Sequence, residues 1–77
     1  MKTKEQIENF LKQKIYTYTV LKEFEIVELF ENALDGLYSF PLEQYPDVLK
    51  RDINDITIDY TEQEKILMIE LRDYILS

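Results

Sequence analysis

Ile15-Tyr16-Thr17-Tyr18-Thr19-Val20 reads in two ways, and the choice between them fixes the fold class. The run alternates β-branched and aromatic residues, which suits a short strand. It also continues a helical stripe, because Ile7, Phe10, Leu11, Ile15 and Tyr18 recur at i, i+3, i+4 spacing. Thr17 and Thr19 have low helix propensity. The local pattern therefore predicts a first helix that ends between Lys14 and Tyr18. Its start is better marked. Thr3 can cap the helix, and Gln6 completes a capping box.

Downstream of this run, a second helix is expected over Leu21–Asp35, with Gly36 as its C-terminal stop. Ile26, Leu29, Phe30, Ala33, Leu34 and Leu37 gather on one side of it, and Glu25, Glu28, Glu31 and Asp35 on the other. Phe24 falls among the acids. Leu37 to Tyr45 reads as a loop punctuated by Pro41 and Pro46, and Pro46 suits the first position of a short helix through Val48, Leu49 and Ile53. Ile56-Thr57-Ile58-Asp59-Tyr60 reads as extended. Thr61 then caps a final helix, with Glu64 completing a second capping box. Leu67, Met68, Leu71, Tyr74 and Ile75 form its main stripe, while Ile66, Ile69 and Leu76 lie elsewhere on its surface. The expected fold is mainly α, a bundle of three to four helices. The alternative is α+β, with a two-stranded ribbon if Ile15–Val20 and Ile56–Tyr60 pair.

The chain has 77 residues, a single small acidic domain spanning residues 1–77 with a formal net charge of −7. A chain this short builds only a thin core. No apolar segment approaches the length of a membrane span. No apolar h-region follows Met1-Lys2-Thr3-Lys4, and Cys is absent, so the expectation is a soluble cytoplasmic protein. The acidic balance argues against direct contact with nucleic acid or anionic membrane.

Catalytic chemistry has little to work with. The chain contains no His and no Cys, two Ser and a single Gly. That removes the commonest general base, the strongest nucleophile and any Gly-rich phosphate loop. Asp52-Ile53-Asn54-Asp55 resembles the start of a calcium loop, but Ile56, Thr57 and Gln63 stand where oxygen ligands and a glycine are needed. A polar turn is the simpler reading. No enzyme activity, cofactor or metal is expected.

The charge distribution is more informative than the total. Glu23, Glu25, Glu28, Glu31, Asp35, Glu43 and Asp47 fall within Glu23–Leu49, which has no Lys or Arg, and the rest of the chain is neutral. A solvated helix face is the plain explanation. Such faces usually mix signs, however, because i,i+4 Glu–Lys pairs stabilise a helix by a few tenths of a kcal/mol. Asp35, drawn at the C-terminus of the second helix, would also oppose the macrodipole. The functional expectation is a non-catalytic acidic binding protein that occupies a basic, nucleic-acid-binding surface of a partner protein. Glu25, Glu28, Glu31, Asp35, Glu43 and Asp47 would supply the charge. Phe24, Tyr38 and Tyr45 would serve as anchors, with Phe40 read as closing the core. The alternative is a regulatory or structural module that homodimerises through its C-terminal helix, whose Ile66, Ile69 and Leu76 need a cover.

Phe24-Glu25-Ile26-Val27-Glu28-Leu29-Phe30-Glu31-Asn32-Ala33-Leu34, followed by a closing amphipathic helix, resembles the small helical immunity proteins that neutralise ribonuclease bacteriocins. In kind, the chain is also similar to phage-encoded inhibitors of host defence nucleases. Both resemblances imply a small protein that blocks a basic nucleic-acid enzyme. Neither assigns a role to an individual residue.

Overall fold

A computed structural model describes residues 1–77. The chain forms four helices and no strand: α1 (Lys4–Val20), α2 (Phe24–Ser39), α3 (Tyr45–Asn54) and α4 (Glu62–Leu76). The ribbon alternative is thereby excluded.

Both expected capping boxes are present. The Thr3 hydroxyl accepts from the Gln6 N–H and the Gln6 side chain accepts from the Thr3 N–H; Thr61 and Glu64 repeat the arrangement. The helical phase won at Ile15–Val20. Ile15 and Tyr18 are half-buried and continue the stripe begun by the buried Ile7 and Leu11, while Tyr16 and Val20 face solvent. Tyr18 stacks on Phe30 of α2, with ring centroids 5.9 Å apart. The Thr19 hydroxyl donates to the Ile15 carbonyl, so this side chain is satisfied within the helix. The first helix therefore runs beyond the predicted Lys14–Tyr18 limit.

A complete Schellman motif ends α1. The Glu23 N–H donates to the Tyr18 carbonyl at 2.9 Å, and the Lys22 N–H to the Thr19 carbonyl at 3.0 Å. Lys22 holds the left-handed position at φ 60°, where Gly or Asn is usual. That substitution hid the stop from sequence reasoning and moves the start of α2 from Leu21 to Phe24. Gly36 is not a stop either. It has no positive φ and lies inside α2, which continues through Ser39. The expected loop therefore shrinks to Phe40–Gln44, and Asp35 stands a full turn inside the helix. The dipole argument for Asp35 weakens accordingly, because that effect falls off within the last turn.

α1 and α2 form an antiparallel hairpin. Tyr18 meets Phe30 near the turn, and Glu8 meets Tyr38 at the open end, where the Tyr38 hydroxyl donates to the carboxylate. α4 lies against the other flank of α1, with Phe10 stacked on Tyr74 at 4.3 Å and Lys14 paired with Glu70 at 3.3 Å. α3 packs chiefly on α4 and is pinned to α2 by the Tyr45 hydroxyl, which donates to the Ala33 carbonyl. Ile56–Tyr60 is a turn rather than a strand, held by Ile58 N–H to the Asp55 carbonyl. Fourteen buried residues from all four helices form one core, and no polar or charged residue is fully buried. The core also settles Tyr45. It is 1% exposed, a core residue rather than the surface anchor expected from sequence. No helix is long and apolar enough to cross a membrane.

Candidate functional site

None of the seven carboxylates of Glu23–Leu49 takes part in an ion pair in the folded chain. The ion pairs of the protein are Glu8–Lys12, Lys14–Glu70 and Arg72–Asp73, and none involves this segment. All seven residues are exposed. Some have a local stabilising role: Glu25 lies in the first turn of α2 and Asp47 in the first turn of α3, where the helix dipole favours an anion. Glu28, Glu31 and Asp35 have no such role. They run along the solvent face of α2, three and four residues apart.

The structure divides the predicted set. Asp47 lines a shallow cleft between α3 and α4 with Lys50, Arg72 and Asp73, a surface of mixed sign away from the α2 acids. Phe24 is 63% exposed at the head of the acidic face. Tyr38 is 49% exposed, but its hydroxyl is committed to Glu8, and that bond raises its pKa. Phe40 is 43% exposed, so it does not close the core as expected. Glu43 lies in the loop between α2 and α3.

A second group of acids joins Glu25 and Glu28. Asp59 from the α3–α4 connection and Glu64 from the first turn of α4 share a surface depression with them, along with Leu29, Asn32, Ile58 and Tyr60. Sequence reasoning missed this group because the charge outside Glu23–Leu49 sums to zero. A local window would have found it. Asp52–Glu64 carries five acids and no Lys or Arg, although Lys50, Arg51 and Lys65 flank it directly. In the fold Lys14 pairs with Glu70 and Lys12 with Glu8, Lys4 lies over the Tyr38 ring and Lys2 over the Tyr74 ring, while Lys22 lines a neighbouring cleft with Glu23, Glu25, Glu62 and Glu64.

The acidic depression is continuous with an apolar groove between α2, α3 and the α3–α4 connection. The two share Leu29, Asn32, Ile58 and Tyr60. The groove is floored by buried Ala33, Tyr45, Leu49 and Met68, with Phe40, Val48 and Ile58 along its walls and Asp52 at its edge. No Lys or Arg lines either part. Burial pushes the Tyr60 hydroxyl pKa up, and the carboxylates of Asp52, Glu64 and Asp55 raise it further. Burial, then Asp52, moves the Tyr45 hydroxyl the same way. Asp55 itself is held below the usual carboxylate range by hydrogen bonds from the Thr57 hydroxyl and N–H, the polar-turn role expected for this segment. Nowhere do three carboxylates converge closely enough to hold a metal ion. The arrangement offers charge beside apolar surface.

Comparison of the chain with models of protein families, with characterised proteins and with solved structures finds no match.

Proposed function

We propose that this is a non-catalytic binding protein that captures a basic surface of a partner protein and thereby inhibits it. The partner class is a nucleic-acid-handling protein, and the type is that of an immunity or phage anti-defence inhibitor. One observation carries the reading: Glu28, Glu31 and Asp35 lie along an exposed helix face with no ion-pair partner and no role at a helix N-terminus. Like charges at this spacing repel, so local stability does not favour the pattern. A basic partner would turn that repulsion into steering and fast association. Phe24, exposed beside these carboxylates, is the anchor retained from the sequence reading. The test is affinity capture from host lysate with wild type and with the Glu28→Lys/Glu31→Lys double variant, followed by a nucleic-acid-binding assay on the captured protein. Wild type should retain a basic protein and suppress its nucleic-acid binding. If the double variant retains the same protein at physiological salt, the reading fails.

A second reading draws on α4. Ile66, Ile69 and Leu76 are 57%, 37% and 55% exposed, and with Asp73 they follow alternating three- and four-residue steps that suit pairing with a second copy. Sedimentation of the free protein decides it: a monomer at high micromolar concentration removes the homodimer.

A further inference from the structure

We propose that the groove between α2, α3 and the α3–α4 connection seats a Lys- or Arg-bearing amphipathic segment of the partner, with its apolar side chains in the groove and its cations over the acidic rim. The proposal rests on the partner-capture reading and names the part of the partner that is held. Two properties of the site must be satisfied together. Phe40, Val48 and Ile58 present apolar surface that the fold itself leaves partly uncovered. Beside them Glu25, Glu28 and Asp59 form a rim with no ion-pair partner. A purely apolar segment would strip water from the rim without supplying counter-charge, which is costly. A purely cationic one would leave the groove unfilled. Nucleic acid and anionic lipid are repelled. An amphipathic cationic segment satisfies both parts, in the manner of a helix laid in an apolar groove.

The test uses the full chain, isotopically labelled for amide NMR, and three synthetic peptides of about 15 residues each. One is a Leu/Lys amphipathic peptide, the second a Ser/Lys peptide of equal charge, and the third a Leu/Glu amphipathic peptide. The Leu/Lys peptide should bind and shift the amides of Gly36, Phe40, Val48, Ile58 and Tyr60. The Ser/Lys peptide should bind about tenfold more weakly or worse, and the Leu/Glu peptide not at all. Val48→Lys should weaken Leu/Lys binding by about tenfold. Phe40→Ser, at a partly exposed site beyond the last turn of α2, should do the same with little risk to the fold. Equal binding of the Leu/Lys and Ser/Lys peptides, or shifts confined to Glu31 and Asp35, would overturn the groove and leave capture of a basic surface intact. Equal binding of the Leu/Glu peptide, or no binding of either Lys peptide, would overturn both.

Discussion

Replacing Glu28 with lysine should stabilise the free protein. Glu28 has Glu25 and Glu31 three residues away on α2, and Asp59 and Glu64 share its surface depression. Each like-charge pair on a helix costs about 0.2–0.5 kcal/mol, and an opposite pair returns a similar amount. Turning two repulsive pairs into attractive ones is therefore worth about 0.8–2 kcal/mol before screening. Exposure to water pulls this toward or below the lower limit. A lysine placed ahead of Glu31 is also the weaker orientation of that pair. A gain of about 0.5–1 kcal/mol at low salt remains. For a domain of this size it corresponds to a rise in Tm of about 3–6 °C. Thermal unfolding followed by circular dichroism should report it at about 10 mM salt, and the gain should fall by more than half at about 1 M, where the Debye length shrinks to about 3 Å. An unchanged or lower Tm at low salt, with helix content intact, would refute the reasoning, because it would mean that the fold already compensates these carboxylates. The same substitution should weaken partner capture, so stability and binding should move in opposite directions.

The two backbone oddities, a lysine where glycine is usual and a glycine inside a helix, should both yield to exchange. Lys22→Gly relieves the left-handed position in the α1 cap and should raise stability by up to about 1 kcal/mol in urea denaturation. Gly36→Ala should raise it by about 0.5–1 kcal/mol through helix propensity, since the new Cβ meets Tyr45 only at 3.4 Å; a loss would show that the contact is tighter than the backbone indicates. Tyr45→Phe removes the buried hydroxyl that donates to the Ala33 carbonyl and should cost about 0.5–1.5 kcal/mol at neutral pH. Because folding raises the Tyr45 pKa, its contribution is complete below the ordinary value of 10.0 and is lost as pH rises beyond it. Wild type should therefore lose stability between about pH 10 and 11 more steeply than Tyr45→Phe, and equal slopes would contradict the assignment.

Helix starts marked by a side-chain cap or by Pro46 were legible in the sequence, and the ends of α1 and α2 were not. Thr3–Gln6 and Thr61–Glu64 carry reciprocal bonds between residues three apart, so a short window contains the whole device. The end of α1 depends on backbone bonds around Lys22, a residue that announces nothing. The reading of Gly36 as a stop failed for the converse reason: glycine permits a left-handed conformation but does not impose one. Of the expected anchors, Phe24 stayed on the surface and Tyr45 went inside. Both are aromatic residues in polar stretches of sequence, and only packing of α3 against α2 distinguishes them.

The sequence by itself determined that α2 has an apolar face and an acidic one, because a helix converts spacing directly into sides. It also determined that Glu28, Glu31 and Asp35 find no counter-charge along α2, since no cation lies within four residues of any of them. The tertiary structure alone decided that Asp59 and Glu64 join Glu25 and Glu28, that Asp47 does not lie with them, and that an apolar groove adjoins the acids. It also directed Lys14, Lys4 and Lys2 to Glu70, Tyr38 and Tyr74. The physical reason is range. Periodicity and capping act over three or four residues, whereas the electrostatic character of a surface is set by which distant segments packing brings side by side.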